Sequence, residues 1–107
     1  MKKGNLFESQ VTDYFRANGW PAERLVMGGS NDRADIGGLP ITVQCKNAVR
    51  IELGPWMTAL RKQMLNAGQT IGVIVHKRVG KGEKQIGETW VTCTLDDLVA
   101  LLEEGRH

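Results

Sequence analysis

Apolar residues recur at helical spacing through Leu6, Phe7, Val11, Tyr14 and Phe15 and stop at Asn18-Gly19, which predicts a first helix ending before Trp20-Pro21. Arg24 to Met27 is short and apolar enough for a first strand, leading into Gly28-Gly29. From Ile41 to Cys45 the pattern becomes alternation, with Ile41, Val43 and Cys45 against Thr42, Gln44 and Lys46, the period of a half-buried strand. Just upstream, Asp35 and Ile36 run into Gly37-Gly38-Leu39-Pro40, a reversal between two strands that brings Asp35 beside Gln44. Leu53, Trp56, Met57, Leu60 and Met64 then predict a second helix, with Pro55 in its first turn and Gly68 after its end.

Ile71 to Val75 is apolar on both faces, as a central strand covered on each side should be, and His76, Lys77 and Arg78 close it. Val79 to Gly87 has the Gly and Lys content of a mobile loop, and Glu88 to Thr94 resumes strand character. Thr94 is placed to cap a last helix whose first turn carries Asp96 and Asp97. Leu95, Leu98, Val99, Leu101 and Leu102 predict its buried stripe, and Gly105 its end. This order predicts an α/β sandwich with a mixed central sheet of about five strands flanked by helices.

Length narrows the picture to one domain spanning residues 1–107, since 107 residues at 41% hydrophobic content suffice for a single core. The net charge is only +2, but its distribution is uneven. Lys77, Arg78, Lys81 and Lys84 cluster in one loop, while Asp96, Asp97, Glu103 and Glu104 gather near the end of the chain. That segregation reads either as a face for a polyanion or as a solvated loop. Cys45 and Cys93 are too few for a disulfide framework and read as free buried thiols, and His76 and His107 offer no zinc-ligand spacing. With no apolar run of membrane length, no signal-peptide pattern and no P-loop, the sequence predicts a soluble, cytoplasmic protein.

The candidate chemistry lies between Gly28 and Asn47. Alternation sets Gln44 and Lys46 on one face with Cys45 pointing to the core, and the reversal adds Asp35. A carboxylate, an amide oxygen and an ammonium suit a divalent metal acting on a phosphodiester: Asp35 and Gln44 offer oxygen ligands, and Lys46 faces the phosphate or the attacking water.

These residues resemble the PD-(D/E)XK nucleases, and among them the small Holliday junction resolvases of archaea and phages. The family pattern is an acid in the first helix, an Asp ending one hairpin strand, and an acid, any residue and a Lys on the next. Glu8, Asp35, Gln44 and Lys46 match those positions, and Ser30 matches the loop serine. Two departures stand out: Ala34 replaces the motif's Pro, and Gln44 replaces its second carboxylate, which removes one negative charge from the site. The resemblance covers the element order to about Cys93. It implies a restriction-endonuclease-like fold in which Glu8, Asp35, Gln44 and the backbone carbonyl of Cys45 hold Mg²⁺ or Mn²⁺. It also implies cleavage of DNA at a four-way junction by a homodimer, each chain having one candidate site.

Several residues admit two readings. Glu8 is either a metal ligand or, with Asn5, part of a capping box. Asp32 is a turn residue or a spare ligand, and Ser30 contacts phosphate or closes its turn. His76 and Trp90 read as packing residues, with a phosphate contact or proton shuttle and a base-stacking surface as the alternatives. The Trp56 and Met57 stripe is core or a subunit contact, while Arg61 and Lys62 read as solvated. For function, the alternatives to a resolvase are a nuclease or nickase on other branched or duplex DNA, and a DNA-binding module that lost its metal through Gln44.

Overall fold

The computed structural model describes residues 3–25 and 35–106. In order these form α1 (Lys3–Ala17), β1 (Glu23–Arg24), β2 (Ile36–Gly37), β3 (Thr42–Lys46), α2 (Leu53–Ala67), β4 (Gly72–His76), a 3-10 helix (Glu83–Glu88), β5 (Trp90–Thr92) and α3 (Leu95–Glu104). The strands make one five-stranded sheet in the order β1-β2-β3-β4-β5. Only β3 and β4 run parallel, joined by the α2 crossover, while the other pairs are antiparallel. The fold is therefore α/β with a mixed central sheet flanked by helices. No helix among the described residues is long and apolar enough to cross a membrane.

The two faces of the sheet bury different side chains because β3 and β4 alternate in register. Val43, Cys45, Val73 and Val75 meet Phe7 and Val11 of α1 together with Ile36. On the other face, Ile74 meets Trp56, Leu60 and Met64 of α2. Fully burying a side chain such as Phe7, Leu60 or Ile74 contributes about 1.5–3 kcal/mol. A Cβ on Gly72 would come within 2.6 Å of Met64 Sδ, so this glycine lets α2 lie close on β4. The turn between β2 and β3 requires Gly38, which has φ +80° and whose Cβ would run into the Pro21 carbonyl.

Several expectations from the sequence are corrected. The first strand is Glu23–Arg24 and Leu25 already lies beyond it, while Val26 and Met27 of the expected strand lie outside the described residues. Helix α1 already includes Lys3, so Asn5 lies inside it and not at the N-cap position that a capping box with Glu8 requires. The stretch from Val79 to Gly87 is partly helical, and because Glu88 ends the 3-10 helix, the last strand shrinks to Trp90–Thr92. Cys93 is half-buried rather than buried, and both cysteines are free.

The largest correction concerns α3. Leu95, Leu98, Val99 and Leu102 are 75%, 45%, 50% and 63% exposed, so the apolar stripe is not buried, and only Leu101 packs against the core. The buried α3 residue is Asp97, held by Arg61 of α2. Arg61 is thus not a solvated residue. Its Nη2 donates to Asp97 Oδ2 at 2.7 Å and to Thr94 Oγ1 at 3.1 Å, which fastens α3 by an ion pair beside the single packed leucine, Leu101. Trp56 is likewise not left exposed for a subunit contact, because it is 7% exposed and its ring lies 5.6 Å from that of His76.

Candidate active site at the carboxyl ends of the parallel strands

Thr42 N–H donates to Ile71 O and Lys77 N–H to Lys46 O, so the even-numbered residues of β3 direct their backbone groups at β4. The peptide groups of Val43 and Cys45 consequently point the other way, toward β2. Asp35 occupies that side. Its N–H donates to Val43 O at 3.2 Å, its carbonyl accepts from Leu25 N–H at 2.9 Å, and its Oδ2 accepts from Cys45 N–H at 2.7 Å. The Cys45 carbonyl opens to the same side by the same alternation. The tight turn at Gly37-Gly38 is what folds Asp35 back to this position, as the sequence pattern predicts.

Ile36 pairs with Val43, so Asp35 falls opposite Gln44 in the antiparallel register. Gln44 is only 7% exposed, and its Oε1 is buried with no hydrogen-bond partner among the described residues. A buried acceptor left unsatisfied costs about 1–3 kcal/mol and marks a place where a donor or a cation fits. Lys46, half-buried, ends the strand on the same face.

Burial pushes the Asp35 carboxyl up from its ordinary 3.8 to about 6; the Cys45 N–H opposes this, Glu8 adds to it, and Lys46 and Arg24 oppose it. Burial, followed by the charges of Asp35 and Glu8, keeps the Cys45 thiol protonated well above neutral pH. Cys45 therefore offers its peptide group and not a thiolate. Glu8 reaches this group of charges from α1 and pairs with Arg24 at 3.4 Å, their side chains 19% and 34% exposed. Sequence reading missed Arg24, since nothing in a two-residue strand signals that its guanidinium will meet a carboxylate 16 positions upstream.

These donors fit a hard divalent cation: two carboxylates, an unpartnered amide oxygen and a backbone carbonyl. Among the described residues no three His, Cys, Asp or Glu side chains gather as a metal-holding group. A cation held here would have to draw on neutral oxygens such as those of Gln44 and Cys45. Ser30 and Asp32 lie outside the described residues.

The basic residues divide. Lys77 follows β4 directly beside Lys46, and Lys77 and Lys84 are exposed. Lys81 pairs with Glu88 at 3.3 Å and Arg78 with the same carboxylate at 3.9 Å. Glu88 thus draws two of the predicted DNA contacts together. Trp90 is not core. It is 50% exposed, with the Arg78 guanidinium 4.1 Å above its ring. His76 is packed: burial lowers its pKa, and its Nε2 lies 2.8 Å from Thr92 Oγ1.

A groove of about 470 Å³ opens at the other end of β3 and β4, lined by residues such as Phe15, Trp20, Leu39, Ile71 and Leu101. Its wall is mainly apolar and holds none of the chemistry described above, whereas ligands of open α/β sheets bind at the carboxyl ends of strands, where Lys46 and Lys77 stand. Compared with protein-family models and with curated proteins, the chain matches none of them.

Proposed function

We propose that the chain is a metal-dependent endonuclease hydrolysing DNA phosphodiester bonds, with a four-way junction as its substrate and a fold of the restriction-endonuclease-like kind. The observation that carries this reading is the register that sets Asp35 opposite Gln44, whose Oε1 is orphaned, with the Cys45 peptide bonded to Asp35 and Lys46 ending the same strand. Asp35, Gln44 Oε1 and the Cys45 carbonyl would hold Mg²⁺ or Mn²⁺, with Glu8 completing the set. A bound ion of this kind supplies charge stabilisation at the phosphate and lowers the pKa of water. Lys46 holds a positive charge toward the phosphate and its attacking water, and Lys77 and Lys84 position the DNA backbone. The test is incubation of labelled four-way junction, flap and plain duplex with the protein, with and without Mg²⁺. Cleavage of flap or duplex in preference to junction would move the substrate to other branched or duplex DNA.

One observation favours a second reading, a DNA-binding module without catalysis. Arg24 already neutralises Glu8, as a metal otherwise would. Gln44→Glu separates the two readings. The added carboxylate is expected to lower the Mg²⁺ concentration for half-maximal cleavage by about ten-fold, roughly 1.4 kcal/mol of metal binding. Cleavage rate against Mg²⁺ and Mn²⁺ reads this directly, and wild type and Gln44→Glu both inert at every concentration would leave the binding module standing.

The proposal includes a homodimer, since each chain has one candidate site and a junction needs two cuts. The surface offered for it is α3, where Leu95, Leu98, Val99 and Leu102 recur at i, i+3, i+4, i+7. A continuous exposed apolar stripe of this kind marks an interface. Leu98→Glu is expected to turn the dimer into a monomer in light scattering at micromolar concentration. A monomeric parent, or a variant that stays dimeric, would rule this surface out.

A further inference from the structure

Register ties Trp90 to the candidate site. Lys46 pairs with His76 and His76 with Trp90, so the three side chains stand in one row on the same face of β3, β4 and β5. Adjacent strands lie about 4.8 Å apart, which sets the backbone of Trp90 about 10 Å from that of Lys46. Stacked phosphates advance about 3.4 Å along a strand, and further when the strand is splayed, so a few nucleotides span that interval. His76 between them is covered by the Trp56 ring, but Trp90 is 50% exposed. Arg78 lies over the Trp90 ring, and its Nη1 donates to Glu88 O at 3.3 Å, which holds the guanidinium in place. Lys77, exposed, is next to Arg78 in the chain.

An exposed indole backed by a guanidinium, in line with a phosphate-facing lysine, is the arrangement that binds an unpaired base. A base inside a duplex has both faces covered by its neighbours and gives the ring nothing to stack on. A base at a crossover, a flap or a frayed end has lost a neighbour.

We propose that Trp90, positioned by Arg78, stacks on an unstacked base a few nucleotides from the phosphate held at Lys46, and so selects DNA with a single-stranded or branched element over continuous duplex. This rests on the reading of the site as a DNA site and deepens it: the branch preference would reside in β5 and not in the metal-holding residues. It also accounts for a large aromatic side chain half in solvent at the end of an edge strand, where a packing role predicts burial.

The experiment measures binding in EDTA, so that cleavage does not enter. Labelled oligothymidine, a four-way junction and a continuous duplex are titrated with wild type, Trp90→Ala, Trp90→Phe and Lys77→Ala at several salt concentrations. Trp90→Ala is expected to weaken binding to the single strand and the junction by about ten-fold or more, with duplex affinity changed less than about two-fold and the salt slope unaltered. Trp90→Phe should recover most of the loss, because a smaller ring still stacks. Lys77→Ala should instead weaken all three DNAs alike and reduce the slope by about 0.9 on the junction and duplex and about 0.7 on the single strand. No loss with Trp90→Ala, an equal loss on all three DNAs, or a change in oligomeric state with unchanged DNA preference would overturn the stacking role while the DNA site stands. A parent protein that binds none of the three would overturn the DNA site itself.

Discussion

Asp35→Asn is expected to make the metal-free protein more stable at pH 8 while erasing the cleavage proposed for it. The folded protein holds the Asp35 proton up to about pH 6, against 3.8 ordinarily. Below 3.8 the residue is protonated folded and unfolded alike, and it carries no ionisation penalty. Between those values the folded state binds more protons than the unfolded one, so stability falls as pH rises through the window and stays reduced above it. The shift corresponds to about 3 kcal/mol at most, for a residue that is 8% exposed. An Asn oxygen can still accept from Cys45 N–H, and no charge is buried. Thermal unfolding in EDTA should therefore show the variant and wild type close together at pH 4 and the variant on the order of 10 °C higher at pH 8. Equal melting temperatures at both pH values would mean that Asp35 is not strained by its burial. A stabilising change that removes activity is the usual mark of a functional carboxylate.

Arg61→Ala is expected to cost about 2–4 kcal/mol at neutral pH. It strips the cation from Asp97, whose side chain is 4% exposed, while the Arg61 side chain is 39% exposed, which keeps the cost below that of a fully buried pair. Burial pushes Asp97 up, but the hydrogen bonds from Arg61 and Thr94, the Arg61 charge and the Gly72 N–H together hold it below its ordinary value. A lowered carboxylate stabilises the fold above its unfolded pKa and loses that contribution as pH falls through the folded value. The penalty of Arg61→Ala should accordingly be largest near pH 7 and shrink toward pH 3, where Asp97 is protonated. Urea unfolding at the two pH values measures this. A loss under about 0.5 kcal/mol at pH 7 would show that α3 is held by something other than this pair.

The contrast between those two carboxylates explains what the sequence could reveal. Asp35, Gln44 and Lys46 lie within one hairpin, where a Gly-Gly turn and a period of two dictate which side chains meet. That local juxtaposition is legible, as are α2, the central strand β4 and the Thr94 cap, whose Oγ1 accepts from Asp97 N–H at 3.1 Å. Arg61 and Asp97 are 36 positions apart, and periodicity says only that α3 is amphipathic, not which side meets the core. The pattern therefore predicts a buried apolar stripe, whereas the docked side is the one that carries Asp97 and Leu101. Trp56 takes the core side of its two readings while Trp90 departs from its packing role, for a related reason. Both sit in apolar patterns, but α2 lies over the sheet and buries the first, whereas β5 is an edge strand and leaves the second half in solvent. The ion pairs of Glu8 with Arg24 and of Glu88 with Lys81 depend on turns whose geometry composition does not encode.

The central claim is that Asp35 and its neighbours make a metal-dependent site for cutting DNA. It is tested most directly by the rate of cleavage of a labelled four-way junction against Mg²⁺ concentration, for wild type and Asp35→Asn side by side. The account predicts cleavage by wild type that rises with Mg²⁺ and vanishes in EDTA, and none by the folded Asp35→Asn at any concentration. Cleavage by both proteins at the same rate, or by neither at any Mg²⁺ or Mn²⁺ concentration, would contradict it.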